Sequence, residues 1–250
     1  LLLAAGAMLA LFLWHCLVLP RPADDGPVGG GDRFLTDFLS PFVSFFRMRG
    51  IVWILLFLLF FRLAEAQLGK IAVLFLQDKP EAGGLGLGLD TIGILYGTVG
   101  PVALIAGGIL GGVAAAYWGF GKTVWPLVCA INLPDIVYVY LAVERPASLW
   151  AVGGCIAVEQ FGYGLGYTAI LLVMVALAEN SGRYKTSHFA IMTGITILGM
   201  MLVGILSGYA ERHLGYVTFF WYVMVCTIPS FLVVYPVSRL IPADFGRKNR

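Results

Sequence analysis

Long apolar stretches, without the polar and apolar alternation of a half-buried strand, run through most of this 250-residue sequence. About 20 apolar residues are needed for a helix to cross the hydrocarbon core of a bilayer, and only helices or closed barrels satisfy their backbone polar groups there. We therefore predict an all-α integral membrane protein with about seven transmembrane helices. The predicted spans are residues 1–19, 51–77, 91–117, 123–143, 148–178, 187–210 and 216–240.

The composition excludes several other classes of protein. Charged residues make up 12% of the chain, about half of the ~25% that is usual in soluble domains. The formal net charge of +2 gives no basic field that would attract nucleic acid. The four cysteines lie in apolar stretches without CxxC spacing, and the sequence has no HExxH, P-loop or GxSxG motif. We therefore predict no metal site, no cofactor and no nucleic-acid partner.

Lysines and arginines in the connections predict how the chain is oriented. If the C-terminus is cytoplasmic, ten basic residues lie on the cytoplasmic side and three on the other side. The ten are Arg21, Arg33, Arg47, Arg49, Lys122, Arg183, Lys185, Arg247, Lys248 and Arg250, and the three are Lys79, Arg145 and Arg212. This asymmetry predicts a cytoplasmic C-terminus.

The connection at residues 20–50 has two parts. Its first part, PRPADDGPVGGGD, is rich in Pro, Gly and Asp, which is typical of an irregular linker. Its second part, RFLTDFLSPFVSFFRMRG, has the pattern of a short amphipathic helix lying in the cytoplasmic interface. The alternative is an early start of the span at residues 51–77. Residues 242–250 form a basic tail.

The six spans between residues 51 and 241 resemble two triplets. In each triplet the first span carries ionisable or polar groups, the second is rich in glycine, and the third is aromatic and contains proline. Because three is an odd number of spans, the two triplets must be inverted in the membrane. Inverted 3+3 repeats form each half of a major facilitator transporter, so residues 1–19 are interpreted as a helix of an N-terminal half that is otherwise missing. The glycines predicted to pack helices together are Gly107, Gly111, Gly164, Gly166, Gly204 and Gly208.

Arg62 lies eleven residues into its span, roughly 16 Å at the helical rise, which is close to the bilayer midplane. Charged groups at this depth are costly and commonly line a pathway for solute or ions. Glu65 is three residues further on and within pairing distance of Arg62, and Lys70 continues a polar stripe. We predict a wall that faces substrate and ions. The alternative is a structural ion pair that holds two helices together.

Glu159 also lies eleven residues into its span and has no basic residue within four positions. Burial favours the neutral form of such an acid, so Glu159, followed by Gln160, is predicted to bind a proton or to pair with Arg62. The alternative is a neutral, hydrogen-bonded core glutamate. Asp135 follows Pro134 and is predicted nearer the outer surface, either on the pathway or paired with a cation of an outer loop.

Five segments of the sequence together resemble the C-terminal half of AmpG-type permeases, which are major facilitator carriers related to the acetyl-CoA transporters. The segments are TIGILYGTVGPVALIAGGILGG, VEQFGYGLGYTA, YKTSHFAIMTGI, LSGYAERHLGYVTFFWY and IPSFLVVYPVSRLIP. The resemblance implies proton-coupled import of peptidoglycan-derived muropeptides across the bacterial inner membrane. It matches the FRLAE element, with Arg62 and Glu65, and an element with Glu159, Gln160, Gly164 and Gly166, in which Gln160 replaces the usual Asn.

The sequence therefore favours a secondary active transporter whose partners are the bilayer, a small solute, a proton and the missing N-terminal half. Two other classes stay open at this point. One is a membrane-embedded transferase-type enzyme, and the other is a structural or sensory membrane subunit that does not transport.

Overall fold

The computed structural model describes residues 2–19 and 34–248, which are helical along most of their length and contain no strand. The helices are α1 (Leu2–Val18), α2 (Phe34–Phe46), α3 (Ile51–Phe60), α4 (Leu63–Gln77), α5 (Leu89–Ile94), α6 (Gly100–Trp118), α7 (Phe120–Asn132), α8 (Ile136–Glu144), α9 (Leu149–Glu179), α10 (Lys185–Cys226) and α11 (Ile228–Ser238). A π-helical turn, Leu95–Val99, joins α5 to α6, and a 3₁₀ turn, Leu133–Asp135, joins α7 to α8.

The chain divides into two compact units, residues 1–40 and residues 41–250. The first unit contains α1, a 17-residue apolar helix at the position of the first predicted span. The predicted irregular linker, residues 20–32, lies outside the described residues. A helix at Phe34–Phe46 occupies the place of the predicted amphipathic segment, and its location in the membrane interface stays a prediction.

Five helical segments of the chain are long and apolar enough to cross a membrane, namely Ile51–Gln77, Leu89–Trp118, Phe120–Glu144, Leu149–Glu179 and Gly182–Ser238. The last of them has 57 residues, more than twice the length that one crossing needs. Gly215, with φ 69° and ψ 161°, interrupts it between the two spans predicted there. The prediction of an all-α membrane fold is thus confirmed.

The two predicted triplets pack on each other reciprocally. The first span of the first triplet, α3 and α4, packs on α10, and the part of α10 before Gly215, which is the second span of the other triplet, contributes to this contact through Gly199 and Gly204. In exchange, α6 packs on α9, the first span of the other triplet. In the same way α7 packs on α9, and α11 packs on α3. Each contact between a span of one triplet and a span of the other thus occurs a second time with the two triplets exchanged, as expected for two related triplets.

Residues 41–248 contain two separate apolar cores. The first core joins α3 and α7 to the C-terminal part of α9 and to α11, with Phe57, Val128 and Val173 among its buried residues. The second core joins α4 and α8 to the N-terminal part of α9 and to the part of α10 after Gly215. Along α9 the second core ends at Ile156 and the first begins at Ala169. The polar residues described below lie between these two cores.

Glycines bring α6 and α9 into backbone contact. A Cβ atom added at Gly107 would lie 2.1 Å from the Phe161 carbonyl oxygen, and one added at Gly164 would lie 2.0 Å from the Leu104 carbonyl oxygen. Only glycine permits this approach. The remaining packing positions are Gly111 against Thr168, Gly166 against Ile131 and Gly204 against the side chain of Lys70.

Gly208 has no heavy atom within 4 Å of an added Cβ among the described residues, so its role in helix packing stays a prediction. Helix α9 continues for 31 residues through the glycines at 162, 164 and 166. The close packing of α7 and α6 on these glycines explains why the helix stays intact.

Candidate functional site

The membrane-length helices are interrupted at the level between the two cores. The helix predicted at residues 51–77 stops at Phe60 and resumes at Leu63, and the backbone of Arg62 is non-helical, with φ −108° and ψ 25°. The hydroxyl of Ser230, near the start of α11, donates a hydrogen bond to the Phe61 carbonyl oxygen at 2.8 Å. A side chain from a neighbouring helix thus supports the backbone at this break, as is typical of broken membrane helices.

The break places the side chain of Arg62, which is 9% exposed, between α4 and α9. Its Nε and Nη2 atoms both lie 2.8 Å from Oε2 of Glu65. Nη2 also donates to the hydroxyl of Tyr163, and the guanidinium carbon lies 5.3 Å from the ring centre of Tyr163 and 5.1 Å from that of Tyr167. The ion pair of Arg62 with Glu65 is therefore combined with two cation–π contacts.

Glu159 does not pair with Arg62. Its side chain is buried at 6% exposure, and its Oε2 atom accepts a hydrogen bond from Nε2 of Gln160 at 3.0 Å. Within the described residues it forms no ion pair, although the carboxyl group of Glu65 is close enough to act on it electrostatically. The predicted pairing of Glu159 with Arg62 was wrong because Glu65 is closer to the guanidinium.

Asp135 is buried inside the helix bundle, and its depth in the membrane stays a prediction. It ends the 3₁₀ turn between α7 and α8, is 3% exposed, and lies within electrostatic reach of Glu159 and Glu65. Its Oδ2 atom has no hydrogen-bond partner among the described residues. In the part of the chain that the structure describes, Asp135 forms no ion pair with an outer-loop cation.

Two further tyrosines belong to the same region. Tyr96 lies on the π-helical turn, and its hydroxyl is hydrogen-bonded to that of Tyr138, whose side chain is fully buried. Both hydroxyls lie within electrostatic reach of Glu159. π-Helical turns occur frequently at functional sites. We call the group of Arg62, Glu65, Tyr96, Asp135, Tyr138, Glu159, Gln160 and Tyr163 the polar layer.

The tyrosines of the polar layer, and Tyr167 beside them, were not predicted from the sequence. Tyr163 and Tyr167 follow Glu159 at intervals of four residues, so helical spacing alone would have placed them on its face. No local pattern marks Tyr96, because the π-helical turn that carries it depends on packing between helices.

Lys70 is separated from the polar layer. It is eight residues beyond Arg62, roughly 12 Å along the helix, and its exposed side chain lies against Gly204 of α10. The predicted stripe from Arg62 through Lys70 to Asp78 is therefore not continuous. Asp78 accepts a hydrogen bond from the Tyr216 hydroxyl at 2.6 Å.

The polar layer combines one guanidinium with three carboxyl groups between two apolar cores. Arg62 neutralises one carboxylate, and ionised carboxylates without a partner are costly at such depth. The arrangement can therefore bind protons, and Arg62 can attract an anionic group. No group of three or more His, Cys, Asp or Glu side chains suited to a metal ion occurs in the part of the chain that the structure describes.

Comparison with known proteins identifies transporters. A protein of Rickettsia prowazekii named as the transporter AmpG 2 is 25% identical over 212 residues, which are 84% of this chain and 49% of that protein. The anhydromuropeptide permease of Escherichia coli is 21% identical over 231 residues, 91% of this chain and 45% of that protein. The resemblance to AmpG-type permeases is thus confirmed along most of the sequence. No protein-family model matches the chain.

A solved structure supports the same fold. The crystal structure of the peptide transporter POT in complex with alafosfalin superposes on 85% of this chain and 41% of that one, with a TM-score of 0.62 and 16% identity. The chain spans about half the length of the curated relatives it matches. It is a multi-pass membrane protein with the fold of half a transporter of this kind.

Proposed function

We propose that this sequence forms the C-terminal half of a proton-coupled secondary transporter that imports peptidoglycan-derived muropeptides or a related anionic solute. The observation that carries the proposal is the polar layer, in which Arg62, Asp135 and Glu159 lie between two apolar cores where membrane helices are interrupted. Interrupted helices and charged groups near mid-depth are typical of carrier binding sites. The muropeptide assignment rests on the relative named anhydromuropeptide permease.

In this proposal Arg62 binds an anionic group of the solute. A guanidinium has five N–H donors, of which Glu65 and Tyr163 engage those on Nε and Nη2. Further donors stay available for a carboxylate, and Tyr167, 37% exposed, offers an aromatic face beside them. Lys70, on the exposed side of α4 and away from Arg62, would add a second positive charge that attracts the anionic solute.

Glu159 is proposed to carry the coupled proton. It is buried, has no cation partner in the described residues, and lies within electrostatic reach of Glu65. Proton binding at Glu159 changes the charge of the polar layer, and a change of charge can bias the two conformations of an alternating-access carrier.

The missing N-terminal half is proposed as the second wall of the solute pathway. Two segments, Leu89–Trp118 and Gly182–Ser238, leave the most surface for this half. Only 22% of the apolar 18-residue stretch in the first and 17% of that in the second are buried, whereas 50% or more is buried in the other three membrane-length segments. Basic residues concentrate at the end of the bundle that holds the α6–α7 turn and the C-terminal tail, which supports a cytoplasmic C-terminus in the bacterial inner membrane.

The names of the relatives do not favour the competing classes. A transferase or a non-transporting subunit would not explain why the matched proteins are named transporters or permeases. The charged groups of the polar layer also lie between the two apolar cores, away from the ends of the helices where an enzyme would meet a water-soluble substrate.

The test uses the whole transporter that contains this sequence, reconstituted in liposomes with labelled anhydromuropeptide. Glu159→Gln removes the proposed proton site with little change in shape, so uptake driven by a proton gradient should fall at least tenfold while exchange of labelled for unlabelled solute is retained. The matched control is Glu179→Gln, at the exposed end of the same helix, which should transport normally. Unchanged proton-driven uptake in Glu159→Gln would remove this residue from the coupling mechanism.

A further inference from the structure

Two carboxyl groups of the polar layer lack a cation. Arg62 forms its ion pair with Glu65, and neither Asp135 nor Glu159 has a basic partner within the described residues. Both side chains are buried, at 3% and 6% exposure. If all three carboxyl groups were ionised, the polar layer would carry two uncompensated negative charges between two apolar cores.

The carboxyl group of Asp135 has fewer hydrogen bonds to stabilise a negative charge than that of Glu159. Glu159 accepts a hydrogen bond from Gln160, whereas Oδ2 of Asp135 has no hydrogen-bond partner among the described residues. An unpartnered, buried, ionised oxygen is costly, and a proton on the carboxyl group removes its charge. The burial and the missing partner of Asp135 therefore both favour its protonated form.

The backbone fixes Asp135 beside Glu159. A Cβ atom added at Gly162 would lie 2.2 Å from the Ala130 carbonyl oxygen and 2.6 Å from Cγ of Pro134. The turn that ends at Asp135 thus packs directly on the backbone of α9, three residues after Glu159. Because this approach requires glycine, the two acids are held together by the packing of α7 on α9.

The groups that surround Asp135 come from several elements. Glu159 on α9 and Glu65 on α4 act on it electrostatically, and Asp135 acts in turn on Tyr138 of α8, which is hydrogen-bonded to Tyr96 of the π-helical turn. The 3₁₀ turn also packs on α10. In the second core, the thiol of Cys226 on α10 accepts a hydrogen bond from Gln67 of α4. Arg62, the cation of the polar layer, is engaged by Glu65.

We propose that Asp135 is a second proton-binding group of the polar layer, so that this half of the transporter exchanges two protons. An O–H bond forms between Oδ2 and a proton delivered by water, and the same bond breaks when the proton is returned to water. The two acids are coupled, since a proton on either one lowers the repulsion felt by the other. The inference rests on the proposed function in assigning the first proton to Glu159.

Infrared difference spectroscopy tests this inference without transport. The chain is reconstituted in lipid, the pH is stepped between about 6 and 9, where exposed Asp and Glu side chains with pKa values of about 4 stay ionised, and the carbonyl band of protonated carboxylic acids is recorded. The wild-type protein should show two separable pH-dependent contributions. Asp135→Asn should lose one and Glu159→Gln the other, whereas Asp90→Asn, at an exposed position near the start of α5, should lose neither.

The outcomes separate the two claims. A spectrum that is unchanged by Asp135→Asn would overturn the inference, and one that is unchanged by Glu159→Gln would overturn the assignment of Glu159 under the proposed function. Thermal melting checks that each variant folds. Asp135→Asn should melt within a few degrees of the wild type, because a neutral amide replaces a neutral acid, and a large loss of stability would contradict a neutral acid at this position.

Discussion

Arg62 connects the polar layer because its guanidinium contacts groups on two helices, Glu65 on α4 and the two tyrosines on α9. The spacing of three residues predicted its pairing with Glu65, which the structure shows. The cation–π contacts could not be predicted from α4 alone, because they depend on how α9 packs beside it. The burial of Asp135 could not be predicted for the same reason, since it depends on the packing of Pro134 against Gly162.

Loss of Arg62 should destabilise the protein. Removing one member of a buried ion pair leaves the other charge uncompensated, at a cost of about 3 kcal/mol. We therefore expect Arg62→Ala to lower the free energy of unfolding by about that amount in detergent. The control Arg212→Ala, at an exposed position, should change it little. The double variant Arg62→Ala, Glu65→Ala should lose less free energy of unfolding than the two single variants lose together. Strictly additive losses would show that the two side chains do not interact.

At the scale of elements, hydropathy predicted the helical spans well because each apolar stretch must form a helix in lipid. A 3₁₀ turn occurs at Pro134, within the span predicted at residues 123–143. The break at Arg62 and the π-helical turn were not predicted. Both involve contacts with distant residues, namely Ser230 with the Phe61 carbonyl oxygen and Tyr96 with Tyr138.

The glycine contact between α6 and α9 makes a prediction at this scale. Gly164→Ala would place a methyl group 2.0 Å from the Leu104 carbonyl oxygen, and such overpacking costs about 1–3 kcal/mol. We expect a melting temperature several degrees below that of the wild type in detergent. Gly208→Ala, where no atom lies within 4 Å, should melt like the wild type. Equal melting of the two variants would contradict the assigned packing.

At the scale of the whole molecule, the two triplets exchange roles in their packing, and the polar layer lies where they meet. The alternation of polar, glycine-rich and aromatic spans predicted this repeat. The sequence could not predict that an apolar core lies on each side of the polar layer, because the partners of each helix face are known only once the helices are packed.

The central claim is that the polar layer borders a solute pathway that water can enter. The most direct measurement is labelling of Tyr167→Cys, in the whole transporter with its native cysteines replaced, by a membrane-impermeant thiol reagent. Val158→Cys is the control, since Val158 is 54% exposed on the opposite face of α9. We predict that Tyr167→Cys is labelled from one side of the membrane and protected by anhydromuropeptide, while Val158→Cys stays unlabelled. If neither Tyr167→Cys nor Val158→Cys is labelled from either side of the membrane, this account is contradicted.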